Sequence, residues 1–257
     1  MKKILLLILI IVSSFPLISC SKQIEKPIAE TIVNKYYTAV IAGDYGTAYE
    51  LLSVQTKSLF SLEKFKDNLE LQKKGYGLTK FEIVKVEGPD QYKIFTINTT
   101  GPKPDSIRSD YAMAKLENNQ YKIDMGDGVG FNNITALACN QIAHDNLYTK
   151  EKDFDNVIYY SKKAIELDPK NEFAYADLAR AYTLSGNMKA GLEAIDKYIY
   201  LYPSLKQNDK ELAQMYDFKG LNLLGQHKVE EAKAAYQKSL QIDPTNKDVF
   251  QSLQELK

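Results

Sequence analysis

Glu230-Glu231-Ala232-Lys233-Ala234-Ala235-Tyr236-Gln237-Lys238-Ser239-Leu240, followed by Asp243-Pro244, decides how the C-terminal half of this 257-residue chain folds. Ala232, Tyr236 and Leu240 recur every fourth position, which sets them along one side of a helix. The small residue lets a second backbone approach, and the bulky ones fill the gap beside it. Pro244 cannot donate a backbone hydrogen bond inside a helix, so it marks the start of the next one. Upstream, Tyr216 and Gly220 sit in a second apolar-periodic segment, and the two segments read as an antiparallel pair.

The same design recurs when proline is used as a ruler. Asp168-Pro169, Tyr202-Pro203 and Asp243-Pro244 each close such a pair, at intervals of 34 and 41 residues. The middle unit carries Tyr175, Leu178, Ala179, Tyr182, Gly186, Gly191 and Pro203. The first carries Tyr148, Phe154, Ala164 and Pro169. Spacing and residues resemble the tetratricopeptide repeat (TPR). The resemblance implies an all-α TPR superhelix over 132–257, with three repeats at about 138–171, 172–205 and 213–246. Asp145, Val157 and Tyr198 stand where small residues are usual and predict reshaped packing there. Residues 206–212 are an insertion, read as an extra turn on the next helix. Residues 247–257 read as a capping helix whose Val249, Phe250, Leu253 and Leu256 cover the last repeat, as a solenoid end requires.

The resemblance also implies that the first helix of each pair lines a concave face. Ile142, Asn146, Thr149 and Lys150 would then face inward from the first repeat. Phe173, Ala176, Arg180, Thr183 and Leu184 would do so from the second, and Gln214, Asp217, Leu221 and Leu224 from the third. Asn146, Lys150, Phe173, Arg180, Thr183, Gln214 and Asp217 form the candidate partner-binding set. The chaperone-tail version of the fold clamps a terminal carboxylate with Lys, Arg and Asn. Here only Asn146 fits, and Ile142 and Asp177 stand where polar or basic groups belong, so no carboxylate clamp is expected. Phe173 with Arg180 suits an extended or helical protein segment, because aromatic residues and Arg often carry interface energy. The open alternative is a groove that packs on the N-terminal domain or on nothing.

At the other end, Met1-Lys2-Lys3 is a cationic head and Ile4 to Val12 an unbroken apolar run. A charged head, an apolar core and a small residue before a cut site make a secretory signal. Leu17-Ile18-Ser19-Cys20 resembles the lipobox of bacterial lipoproteins. The resemblance implies cleavage after residue 19, a diacylglycerol thioether on Cys20 and acylation of the new amino terminus. Two or more acyl chains anchor stably where one is marginal. The expected location is the outer side of the cytoplasmic membrane. An uncleaved anchor helix is the other reading, but the stretch is short of the roughly 20 residues a span needs and is broken by Ser and Pro16. Residues 20–26 read as lipidated cysteine and tether.

Between leader and repeats the order is α then β. Pro27 suits a first helical turn, and Ile28, Ile32, Val33, Tyr36, Tyr37 and Val40 follow at helical spacing. Gly43-Asp44 breaks that helix, Tyr45–Leu52 reads as a second, and Ser61 caps a third that Gly75-Tyr76-Gly77 stops. Alternating segments around 81–86, 92–98, 111–117 and 121–125 then predict about four antiparallel strands, turning at Gly88-Pro89-Asp90 and Asn118-Asn119. This α+β order over 27–125 resembles the small lipoprotein-associated versions of the NTF2-like cone fold, which by itself names no chemistry. Residues 126–131, with Gly126, Gly128 and Gly130, read as a flexible link. They depart from a dinucleotide fingerprint in glycine spacing and lack the βαβ context.

Composition excludes several functions. Losing Lys2 and Lys3 with the leader turns 33 basic and 33 acidic residues into a net charge of −2. That offers no clustered basic surface for nucleic acid. Two histidines and one cysteine beyond Cys20 make a metal site implausible. Cys139 has no partner in the mature chain and reads as a small buried apolar residue. No nucleophile–base arrangement or phosphate loop is present. His144 and His227 read as surface or packing residues, and Asp124 with Asp127 as a solvated strand end. The expectation is a non-enzymatic, cofactor-free protein. It binds a protein or peptide in the groove and the membrane through its lipid. The competing hypothesis is small-molecule binding or hydrolase/isomerase chemistry in the cone. Tyr36, Tyr37 and Tyr111 would line a pocket there or simply fill the core.

Overall fold

The computed structural model describes residues 28–102, 107–202 and 209–256. The leader, Cys20, the tether, Pro27, Pro203 and residues 206–208 of the insertion lie outside the described residues.

Four helices open the described chain: α1 (Ala29–Ala42), α2 (Tyr45–Glu50), α3 (Val54–Leu59) and α4 (Leu62–Tyr76). α1 buries Ala29, Val33, Tyr36 and Ala39 and ends at Gly43, whose φ of 77° only glycine adopts cheaply. Asp44, Ser53 and Ser61 then cap α2, α3 and α4, each side chain accepting a backbone N–H three residues on. The sequence predicts three helices here. α3 is the addition, a six-residue helix too short to show an apolar period.

Four strands follow as an antiparallel meander in chain order: β1 (Lys80–Glu87), β2 (Tyr92–Thr100), β3 (Ile107–Glu117) and β4 (Gln120–Asp124). Asn118 and Asn119 both have positive φ, the geometry of a two-residue type I′ hairpin turn. β2 alternates as a half-buried strand should, with Phe95, Ile97 and Thr99 inward. Phe95 and Ile97 meet Val33, Tyr36, Leu52 and Phe65 in one core. A single parallel bridge from Leu52 to Ile123 ties the helical opening to β4.

The rest is helical: α5 (Val129–Tyr148), α6 (Phe154–Leu167), α7 (Glu172–Leu184), α8 (Met188–Leu201), α9 (Lys210–Gly225), α10 (Val229–Ile242) and α11 (Lys247–Glu255). α5/α6, α7/α8 and α9/α10 pack as pairs, and α6 contacts α7 as α8 contacts α9. Small residues set the crossings. A Cβ on Gly220 would lie 2.4 Å from the Tyr236 ring, so this residue lets α9 and α10 close. Val157 and Tyr198, the bulky departures, are both fully buried. Tyr198 stacks on Tyr202 with ring centroids 5.2 Å apart. α11 caps the last pair through buried Val249. Phe250, expected to share that work, is 55 % exposed, because a nine-residue helix turns only one narrow stripe inward.

Residues 126–131 are not a free link. α5 already begins at Val129, and Phe131 enters the N-terminal core. Its ring lies 5.5 Å from Phe65, stacked, and 5.2 Å from Phe60, edge-on. Gly75 of α4 lies against α5, where a Cβ would come within 2.5 Å of the Ala138 carbonyl oxygen. Gln72 Nε2 donates to Thr135 Oγ1 at 2.9 Å, and the Lys74 ammonium reaches the Tyr160 hydroxyl and ring. The glycines signal a chain break, but burying Phe131 joins the two halves.

Phe131→Ala removes a ring that both halves share. We expect it to lower unfolding stability by about 3–5 kcal/mol in denaturant titration. An unchanged midpoint would show that Phe131 does not pack in the N-terminal core.

Candidate functional site

The first helices of the three pairs, α5, α7 and α9, lie side by side, with α7 touching both neighbours. A cavity of about 680 Å³ opens on this side, walled by Asn140, His144 and Tyr148 of α5, Phe173, Asp177 and Arg180 of α7, and Tyr198, Tyr202 and Glu211 beyond. Tyr148 and Phe173, two of the exposed rings of the molecule, are each about three-fifths exposed and both line this cavity. The His144 and Tyr148 rings touch, with centroids 4.5 Å apart.

Arg180 forms the floor. It is buried, and its Nη1 donates to Asp177 Oδ1 at 3.1 Å. Nη2 donates to the Glu211 carboxylate and, at 3.1 Å, to Gln214 Oε1, which Nε also approaches at 3.4 Å. Burial works against the guanidinium charge, but Glu211, Tyr148 and Asp177 outweigh it and hold the pKa above its usual value. Burial pushes the Asp177 carboxyl up, and Arg180 and His144 pull it partly back. The arginine is thus tied into the protein across α7 and α9.

The other candidates scatter. Phe173 is the exposed ring just described. Gln214 is exposed and spends its oxygen on Arg180. Thr183 is 3 % exposed, and its Oγ1 accepts from Asn222 Nδ2 at 2.7 Å, a bond between α7 and α9. Gly191 of α8 abuts that pair. Asn146 is half-buried and donates to the Ile142 carbonyl of its own helix. Lys150 is exposed beyond the end of α5. Neither Asn146 nor Lys150 lines the cavity. Ile142, expected to face inward, is in the core against α6 instead. The groove stripe of α5 is Asn140, His144 and Tyr148, at i, i+4 and i+8. The sequence holds that stripe too, but which stripe faces α6 depends on tertiary packing.

Asp217 lines a smaller hollow of about 330 Å³ with Gln214, Asp248 and the same Glu211. Burial, reinforced by Asp248, pushes its carboxyl up to about 6. Cys139 is fully buried, and burial pushes its thiol up to about 11, far from a reactive thiolate. Among the described residues no group of three or more His, Cys, Asp or Glu side chains could hold a metal, and no helix is long and apolar enough to cross a membrane.

The N-terminal unit has its own cavity, about 540 Å³, lined by Tyr36, Tyr37, Arg108, Asp110, Tyr111 and Asp124 among others. Tyr36 is buried core, whereas Tyr111 is 74 % exposed. Arg108 clasps Asp110 through Nε and Nη2, leaving Nη1 buried and without a partner. Asp124 Oδ1 accepts the Gly126 N–H, and its Oδ2 is buried without a hydrogen bond, 3.9 Å from the Lys115 ammonium. Asp127 is exposed and caps the Val129 N–H, so the two aspartates serve separate turns.

Residues 213–246 match the tetratricopeptide repeat family. Hsp70-Hsp90 organizing protein 2 of Arabidopsis thaliana is 30% identical over 105 residues, 41% of this chain and 17% of that one. The Hsp70-Hsp90 organizing protein of Triticum aestivum is 27% identical over 117 residues, 46% of this chain and 19% of that one. The chain therefore spans under a fifth of these curated relatives. Among solved structures, the Arabidopsis OM64 TPR domain aligns with 49% of this chain and 97% of that one, at 19% identity and a TM-score of 0.43. The first TPR of Spaghetti (RPAP3), bound to an HSP90 peptide, aligns with 47% of this chain and 91% of that one, at 20% identity and a TM-score of 0.40. The helical half is a TPR-type superhelix, and its N-terminal companion contains a small antiparallel sheet.

Two predictions follow from these charges. Arg180→Ala leaves Asp177 buried without its cation and is expected to destabilise by about 3–5 kcal/mol in thermal or denaturant unfolding. Asp217 has a folded pKa above its ordinary value, so the fold favours its protonated form. That contribution is complete below about pH 4 and lost as pH rises through about 6. It amounts to about 1–2 kcal/mol after allowing for solvent near a half-buried group. Asp217→Asn should therefore raise the melting temperature at neutral pH and flatten its fall between about pH 4 and 7.

Proposed function

We propose that this chain is a lipid-anchored adaptor that holds another polypeptide in its TPR groove on the outer side of the cytoplasmic membrane. The observation that carries this reading is the pair of exposed rings, Tyr148 and Phe173, standing over a rigid floor at Arg180. Such a surface leaves apolar area in water that a partner would cover. The repeat match at 213–246 supports it, since stacked repeats build extended binding surfaces. The Leu17-Ile18-Ser19-Cys20 tetrad behind an apolar run supports the anchor. The N-terminal unit we take to be an NTF2-like cone, a reading supported by helices followed by a four-stranded meander around one core. In this account the molecule needs no catalytic group, cofactor or metal.

The test pairs location with binding. Cys20→Ser should abolish incorporation of an alkyne-tagged fatty acid and move the protein out of the membrane fraction. With a photo-cross-linker at Gln141, on the groove rim, Phe173→Ala combined with Tyr148→Ala should lower recovery of the cross-linked partner several-fold. Equal recovery would remove the groove from the account.

One observation favours a second reading. Two residues lining the N-terminal cavity, Arg108 and Asp124, each keep a buried polar atom without a hydrogen bond, Nη1 and Oδ2. A pocket with apolar walls and a few polar groups is the usual form of a small-molecule site. Under this reading the cone binds a small ligand, and the repeats are accessory. A compound that raises the melting temperature of the wild type but not of Ala112→Leu, which narrows the cavity, would support it. A fragment screen in which no compound discriminates the two proteins would end it.

A further inference from the structure

The concave face carries more negative charge than its central cation offsets. The Arg180 donors are spent on Asp177, Glu211 and Gln214 within the protein, two carboxylates to one guanidinium. Glu172 at the near wall, and Asp217 and Asp248 in the adjoining hollow, have no ion-pair partner among the described residues, and Lys210, which also lines that hollow, is outnumbered there by Glu211, Asp217, Asp243 and Asp248. Glu211 borders both spaces, so the charge runs along one surface.

Asn140 lines the groove, is 9 % exposed, and its Oδ1 has no hydrogen-bond partner. The orientation of its amide is settled by its neighbour. Asn171 caps α7 by accepting the Ala174 N–H on Oδ1, so that atom is an oxygen. Asn140 must then present its Nδ2 to it, at 2.9 Å, and turn Oδ1 away. The unsatisfied group is therefore an acceptor, and leaving it buried and unpaired is costly. The atom is shut away from solvent, so it belongs to the interior of the groove wall and is not a contact point for a partner.

We infer that the groove takes a cationic segment of a partner protein, one bearing Lys or Arg beside an apolar or aromatic residue. The inference rests on the groove reading given above. The apolar side chain covers Phe173 and Tyr148, and the positive charge faces Glu172, Asp217 and Asp248. An acidic tail would instead meet a surface whose carboxylates outnumber Arg180 and Lys210, with Arg180 already tied to Asp177 and Glu211. Complementarity of this kind sets specificity and weakens with salt.

The full chain, selected against a random peptide library in parallel with its Phe173→Ala/Tyr148→Ala variant, tests this. Enrichment of Lys- and Arg-bearing peptides on the wild type, lost on the variant, is the expected result. The best such peptide should bind about tenfold more weakly to Glu172→Gln/Asp217→Asn and lose affinity as salt is raised. Enrichment of acidic or carboxylate-terminated peptides, lost on the ring variant, would overturn the charge assignment and leave the groove standing. No enrichment over the ring variant would overturn both. Enrichment that emerges only after Lys22 and Lys26 are changed to Gln would make the chain's own leading segment the occupant and overturn a partner protein.

Discussion

A guanidinium withdrawn from water must find carboxylates, and the helical half is arranged around that demand. Arg180 is 7 % exposed and reaches Asp177 on its own helix and Glu211 and Gln214 on α9. Breaking such a cluster leaves an uncompensated buried charge, so α7 and α9 are held at the spacing the side chains dictate. The apolar packing around it follows: Ala176, Ala179, Met215 and Tyr198 belong to one core beside the cluster. The same arrangement removes the arginine from duty as a free recognition group and fixes the sign of the surface above it.

Much of the fold was legible because repeats write the same packing problem several times. Proline spacing, Gly191, Gly220 and the Ala/Tyr alternation of the last repeat each report a crossing, and the helices fall where those residues place them. The strands were legible from alternation, and Asn118-Asn119 from its tolerance of positive φ. α3 was not, since Ser53 is its one local signal. Phe131 was misjudged because three glycines outweigh one aromatic in any local reading, while the partners that bury it, Phe60 and Phe65, lie far back in the chain.

The groove was legible in outline and wrong in phase on α5. Phe173 could be placed from its position on α7. Ile142 and the Asn140 stripe are separated by about half a turn, and only the docking of α6 decides which is inside. Arg180 could be singled out by type, but its principal partner lies on a different repeat, 31 residues away. Thr183 shows the opposite error: its position suits a surface, yet Asn222 and Gly191 close over it. Charge balance, which depends on which cations are already paired, is invisible until the side chains are in place.

α5 has membership in both halves of the molecule. Phe131 near its start is clasped in the N-terminal core, and Tyr148 at its end stands on the wall of the groove. At 1.5 Å per residue these rings are about 25 Å apart along a single unbroken rod. One continuous helix thus ties the sheet-containing core to the groove wall, and α4, α6 and α7 brace it between the two rings.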